Sequence, residues 1–393
     1  MLNCSAFSLK YVTSMNRLGH YFAALFFAAA LCSCGGSENN EEPTPEPPVT
    51  PVPAVTFARG ADIGWVSEME KGGMKFTDSK GASDIFTVLK NTGMNSIRLR
   101  VWVNPIDASG WSGKDDVVAM AKRATAAGMA VMIDFHYSDF FADPGNQDIP
   151  SAWTGKTAMD LTSNVTSHTT EVLNALKDAG VSPQWIQIGN ETRNGMLWPA
   201  GQLWTSSGDI ANGWNNFEAL YMSGYNAAKA VFPNAAVMPH LNHACDDNEW
   251  WFTKLKAAGG KFDMIALSHY PMSDGNGGWS ALNSSAVTNI RKLATKFGVK
   301  VVVAEYGVKQ SDSQAGQCTS SFISAVKSLG ADICSGIFYW EPEVDGTWKP
   351  AVYSKSYKKH GKNEEWGAYG MGAFKRSGST FSPNETILSA FAE

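Results

Sequence analysis

The chain has no surplus of positive charge, no paired-cysteine framework and, beyond its leader, no apolar run approaching a membrane span. A formal net charge of −5 over 393 residues argues against a polyanionic partner, so nucleic acid and bulk attraction to anionic lipid are set aside. Of six cysteines, Cys4, Cys32 and Cys34 fall in the N-terminal leader. Cys245, Cys318 and Cys334 have no zinc-type spacing. The last two bracket a predicted helix whose ends lie roughly 18 Å apart, too far for a bridge. No internal repeat is visible. What the chain does have is a 44% hydrophobic content, enough for the core of a single barrel-sized domain. Its 14 tryptophans include several in predicted loops, where flat faces suit sugar rings as well as packing.

The N-terminus reads as an address. Arg17 precedes an apolar run from Tyr21 to Leu31, too short to span a bilayer but suited to a signal-peptide core. The following Leu31-Cys32-Ser33-Cys34-Gly35-Gly36 resembles a bacterial lipoprotein signal, with Leu three positions before the Cys and a small residue just before it. Lipidation is expected at Cys34; Cys32 fits worse, because Leu31 would occupy the small-residue site. Met15 gives a more compact signal than Met1. Ser37 to Pro53 is acidic first (Glu38, Glu41, Glu42, Glu46) and then Pro-rich, a tether with almost nothing to bury. Acidic residues behind a lipidated Cys resemble the surface-export signal of Bacteroidetes-type lipoproteins. The expected organisation is a leader over 1–33, lipidated Cys and tether over 34–54, and one domain over 55–393. That domain is expected to be a monomer at the outer cell surface, touching the membrane through its lipid alone.

From Val55 onward short apolar runs alternate with helical patterns, the signature of a parallel sheet wrapped by helices. Strands are predicted at 57–64, 96–102, 129–135, from 185, 235–240, 264–269, 299–305 and 336–341. Helices are predicted near 83–91, 115–127, 158–179 and 215–231, with others between the later strands and a last one near 385. Eight βα units describe a (β/α)8 TIM barrel, in which active-site groups sit at strand C-termini. The polar residues at those ends are Arg100, His136, Asn190 with Glu191, His240, His269 with Tyr270, Glu305, and Trp340 with Glu341.

Two of these ends stand out. Trp185-Ile186-Gln187-Ile188-Gly189-Asn190-Glu191 and Lys300-Val301-Val302-Val303-Ala304-Glu305 each run from strand-like residues into a carboxylate. In a barrel of radius roughly 7.5 Å, strands four and seven are roughly 14 Å apart. Side chains reaching inward by roughly 4.5 Å leave about 5 Å between the carboxyls, the gap of a retaining glycosidase. Glu305 is then the expected nucleophile, its pKa held down by Arg100, and Glu191 the acid/base, kept protonated by the nearby charge. Asn190 is expected to donate to the sugar 2-OH. His136, His269 and Tyr270 are expected at hydroxyls or the glutamates, and Trp340 under the cleaved sugar. His240 is placed with the core.

These residues resemble glycoside hydrolase clan A, and within it family 53, the endo-β-1,4-galactanases. The resemblance rests on Arg59-Gly60-Ala61-Asp62, Ile97 to Pro105, Asp134-Phe135-His136-Tyr137-Ser138-Asp139 through Ala142-Asp143-Pro144, and Gly189-Asn190-Glu191. Leu197-Trp198-Pro199-Ala200-Gly201, Ser268-His269-Tyr270-Pro271, Ala304-Glu305 and Tyr339-Trp340-Glu341-Pro342 complete it. It implies internal cleavage of β-1,4-galactan with retention, acid/base on Glu191, nucleophile on Glu305, and Asp134 and Trp198 among the substrate contacts. Two departures stand out. Phe140-Phe141 occupy a segment where the family usually has Trp, which weakens stacking at one subsite. Lys309 to Gln314 lacks the Asp/His/Asn run that binds structural calcium in some bacterial relatives. Calcium is thus unsupported, with oxygens of Glu343, Asp345 or the backbone left open, and no cofactor is required. The rival readings are another clan A endo-glycanase, acting on mannan or xylan, and a non-catalytic surface glycan-binding barrel.

Overall fold

The computed structural model describes residues 52–272, 278–355, 357–359 and 362–392. The leader, Cys34 and the tether up to residue 51 lie outside them. Eight parallel strands form the barrel wall: β1 (Ala58–Asp62), β2 (Ser96–Val101), β3 (Ala130–Phe135), β4 (Trp185–Ile188), β5, β6 (Met264–His269), β7 (Lys300–Tyr306) and β8 (Cys334–Trp340). Unlike the continuous strand expected over 235–240, β5 is divided into Ala236–Met238 and His240–Leu241. Pro239 between them has no N–H to give the ladder. The first piece pairs with β4 and the second with β6. Across the break Asp263 N donates to Val237 O (2.9 Å) and Ala266 N to Pro239 O (3.1 Å), which closes the ring.

A helix follows each strand: Ile85–Asn91, Lys114–Ala126, Ala158–Asp178, Gly213–Val231, Glu249–Ala257, Trp279–Phe297, Ala315–Ser328 and Glu385–Leu388. The third shows why. Leu161, Val165, Val172, Leu173 and Leu176 recur on one face and are buried, and Thr157 with Asp160 forms a capping box that satisfies the first-turn amides.

Strand parity sorts the side chains. Ile97, Leu99, Val131, Ile133, Ile186, Val301 and Val303 face the helices, whereas Ala58, Ala130, Met132, Trp185, Met238, Met264, Ala266, Val302, Ala304 and Phe338 form a separate cluster inside the barrel. Gly60 makes room for it: a Cβ there would come within 2.1 Å of the Phe338 ring. Continuing the same parity upward puts Asp62, Arg98, Arg100, Asp134, His136, Gln187, His240 and Ser268 above this apolar floor. Glu305 is the exception. Its odd number would send it outward with Val301 and Val303, but the β6–β7 register slips between Leu267↔Val303 and Ser268↔Glu305. This bulge turns the carboxylate into the barrel.

Candidate active site

Arg98 is the centre of the site's foundation. It is fully buried and its guanidinium reaches Asp62 (2.6 Å), Asp134 (2.8 Å) and Glu305 Oε1 (3.0 Å). It also donates to Gln187 Oε1 (3.0 Å) and Asn190 Oδ1 (3.0 Å). The planar fork of an arginine can bridge acids on three strands at once, which a point-charge ammonium cannot. The cation on Glu305 is therefore Arg98, not Arg100. One residue pair nearer the rim, Arg100 turns to Glu341 (2.9 Å) and lies 4.4 Å from the Trp65 ring centre and 4.8 Å from that of Phe141. Gly64 leaves that guanidinium its space, since a Cβ there would lie 2.3 Å from its Cζ.

Glu191 and Glu305 open into one cavity of about 220 Å³, lined also by His136, Phe141, Asp143, Asn190, Tyr270, Trp340, Trp366 and Tyr369. The Ser268 hydroxyl donates to Glu305 Oε2 at 3.4 Å. Tyr270 Oη also donates to Glu305 Oε2, at 2.8 Å. Burial pushes both glutamates up. For Glu305 the Arg98 charge opposes that rise, whereas for Glu191 the negative Glu305 adds to it. Glu305 therefore ionises first and Glu191 holds its proton well above the usual carboxylate range. The expectation of a Glu305 pKa held below normal is corrected: desolvation outweighs its arginine. Glu191 itself has φ 47°, as Tyr137 (52°) and Glu341 (49°) do at their strand ends, a left-handed backbone that costs energy and marks sites held by their surroundings.

The other expected residues divide. Asn190 lines the cavity and is fixed by Arg98, by Nδ2 donation to Ala142 O (2.8 Å) and by a 2.8 Å contact of its Oδ1 with His240 Nδ1. His136 lines it too, but Nδ1 accepts from Ala142 N (2.9 Å), so the ring proton is on Nε2, which donates to Asp134 Oδ2 (2.9 Å). Both nitrogens are used by the protein. Asp134 lies fully buried beneath the cavity; burial would raise it, but Arg98 and His136 hold it below the usual range. His269 is turned away altogether: odd parity on β6 points it outward, to Asn283 Oδ1 (2.8 Å) and the Phe322 ring (4.4 Å). Trp198 borders a different groove of about 880 Å³ with Phe140, Asp148 and Lys156. That groove lies against the site through Trp198 N to Gln147 O (2.7 Å) and Gln147 Nε2 to Asn190 O (2.8 Å).

Sequence reasoning passed over Arg98, Ser268, His240 and the loop after β8. Parity would have found the first two. His240 is no mere core residue: its Nε2 meets Ser268 Oγ at 2.9 Å, and burial with the Arg98 charge keeps it neutral. Trp366 and Tyr369 carry no periodic signal; Trp366 stacks on Phe141 at 5.5 Å and 9°, and so stands beside the Phe140-Phe141 departure. The calcium ligands left open do not converge. Asp345 is spent on Thr347 Oγ1 (2.6 Å) and two amides, and Glu343 is buried, accepting from Trp65 N (3.3 Å). Among the described residues no three His, Cys, Asp or Glu side chains are grouped to hold a metal.

The chain is 34% identical over 314 residues to an arabinogalactan endo-β-1,4-galactanase of Thermothelomyces thermophilus, covering 74% of this chain and 90% of that one. Its structure is similar to that of a fungal β-1,4-galactanase, with TM-score 0.68 and 26% identity over 86% of this chain and 99% of that one. The family GH53 catalytic domain of Ignisphaera aggregans matches with TM-score 0.70 and 29% identity, over 87% and 98%. The model of glycosyl hydrolase family 53 matches residues 58–391, nearly the whole barrel with both glutamates, and the chain belongs to that family.

Proposed function

We propose that the protein is a retaining endo-β-1,4-galactanase that cuts within galactan and the galactan chains of type I arabinogalactan. The observation that carries the reading is the pair Glu191 and Glu305 in one cavity, in a family 53 barrel whose relatives bear galactanase names.

Glu305, charged beside Arg98 and oriented by Tyr270, attacks the anomeric carbon while Glu191 gives its proton to the departing glycosidic oxygen. Once Glu305 is esterified its charge is gone, the pKa of Glu191 falls, and Glu191 takes a proton from the water that releases the sugar. Asn190, held from behind with an Nδ2 hydrogen to spare, faces the 2-OH. Trp340 and Trp366, both on the cavity wall, give the sugar apolar faces.

Reducing ends released from linear β-1,4-galactan, with short oligomers early, are expected of the wild type, and none of E305Q. A purified panel decides the substrate: preference for mannan or xylan overturns it, and no release from any glycan favours a binding barrel.

We further infer an outer-membrane lipoprotein acylated at Cys34 and exposed at the cell surface, supported by the leader and tether composition. The chain enters at the barrel's N-terminal rim, where Val55 exchanges two hydrogen bonds with Gln184. Radiolabelled acyl chain incorporated by the wild type and lost in C34A tests the anchor, and protease shaving of intact cells tests the exposure.

A further inference from the structure

Among the described tryptophans Trp250 alone is exposed, at 39%. It is not isolated: the Trp204 ring centre is 6.1 Å from its own and that of Trp214 6.4 Å, at 87°. Strand order puts all three on the catalytic face. Trp204 is in the loop after β4, and Trp214 and Trp250 are the second residues of the helices that follow β4 and β5. Arg193 and Lys254 bring cations to within 5.8 and 6.0 Å of the Trp250 ring centre. The result is a flat indole step, propped by two others and open to water on the rim.

This step is tied to the loop that carries the acid/base. Arg193 follows Glu191 by two residues, so their Cα atoms are within about 7 Å. Arg193 Nη1 donates to Asn248 Oδ1 (2.9 Å) and meets Asp246 Oδ2 at 3.5 Å. Trp251 Nε1 donates to Arg193 O (2.8 Å). The next residue, Asn194, clasps Trp204, accepting from its N (2.9 Å) and donating to its O (3.0 Å). Glu191, Arg193 and the indoles thus keep one geometry before any ligand arrives, which lowers the ordering cost of binding.

We propose that Trp250, with Arg193 beside it, is a binding subsite for galactosyl residues on the leaving-group side of the scissile bond. A general acid stands next to the oxygen that departs, so the sugars beyond that oxygen lie on the Glu191 side and cross the rim at the loop after β4. At about 220 Å³ the catalytic cavity encloses little of a polymer, and the rest of the chain runs over that rim. In a galactopyranose the axial O4 leaves the hydrogens of C3, C4 and C5 together on the opposite face. That apolar patch lies flat on an indole while the hydroxyls reach sideways. The described bonds of Arg193 run through Nη1, leaving Nε and Nη2 as donors to those hydroxyls.

The proposal rests on the galactanase reading with Glu191 as the acid, and its test separates the two. Two substrates are compared: linear β-1,4-galactan, and phenyl β-1,4-galactobioside, whose phenol still needs the acid but which carries no sugar past the cut. W250A is expected to lower kcat/KM on galactan about five- to thirtyfold, and this loss exceeds that on the phenyl galactobioside by about fivefold or more. W250F, which keeps a flat face, recovers more of the galactan rate than W250L, which keeps bulk without one. Should W250A not fold, W250L carries the same comparison. Equal losses on the two substrates would mean that Trp250 acts only through the acid's loop. That result, an unchanged rate on galactan, or W250F no better than W250L overturns the proposal while leaving the galactanase reading intact. A wild type that leaves galactan uncut instead sinks the reading on which the proposal stands.

Discussion

Replacing Arg98 by lysine tests the electrostatic design directly. A lysine keeps the charge but offers one ammonium, which cannot reach Asp62, Asp134 and Glu305 together, now 2.6, 2.8 and 3.0 Å from the two terminal guanidinium nitrogens. At least one buried carboxylate is left uncompensated, a loss of about 3–5 kcal/mol. Melting entropy is about 2.1 cal/mol/K per residue, so a domain of about 340 residues has roughly 0.7 kcal/mol/K and the melting temperature falls by about 4–7 °C. Glu305 also loses the guanidinium group that meets its Oε1 at 3.0 Å. Its pKa, already raised by burial, rises further, and the acid limb of kcat/KM moves to higher pH by about 1–2 units, equivalent to one hydrogen bond between charged partners. Differential scanning calorimetry and a pH–rate profile on soluble galactan measure both effects. R100K provides the contrast: it loses the Glu341 pair and the stack on Trp65 and melts lower, yet leaves the acid limb where it was. An R98K enzyme with an unmoved acid limb, or an R100K enzyme with a moved one, would refute the assignment of Arg98 to the nucleophile.

H269Q is expected to cost stability, about 1–3 kcal/mol for the broken bond to Asn283, while kcat/KM on galactan stays within about twofold; a large kinetic loss at unchanged stability would place His269 in the site after all. W366A removes the indole that stacks on Phe141 and is expected to lose about 1–2 kcal/mol of sugar binding, five- to thirtyfold in kcat/KM, mostly through KM. An unchanged KM would remove Trp366 from the subsite. Glu341 is pushed up to about 7, chiefly by burial, from an ordinary value of 4.5. Its folded form binds the proton more tightly than the unfolded chain does, so its contribution to stability is complete below about pH 4.5 and is lost as pH rises through about 7. The loss is at most about 3 kcal/mol. Thermal melts of E341Q between pH 4.5 and 8 are expected to fall less with pH than those of the wild type; parallel curves would contradict the shift.

The chain's own pattern determined the eight βα units and the two glutamates at strand ends. Each follows from local physics: period-2 and period-3.6 burial, and a carboxylate too costly to bury without a purpose. Parity within a strand was legible as well, and it already separates Ser268 and Tyr270 from His269. Tertiary structure alone decided what depends on register between strands far apart in sequence. The β6–β7 slip that turns Glu305 inward leaves no mark in Val301-Val302-Val303-Ala304-Glu305. Whether Arg98 or Arg100 meets that glutamate depends on how deep each rung sits in the closed ring, with both of the same parity and chemistry. Trp366 and Tyr369 reach the cavity from an aperiodic loop whose path is set by packing on Phe141 and Trp340. Local sequence carries the preferences of neighbouring residues, whereas a site assembled across a barrel is fixed by contacts between residues 36 to 241 positions apart, and those exist only once the ring has closed.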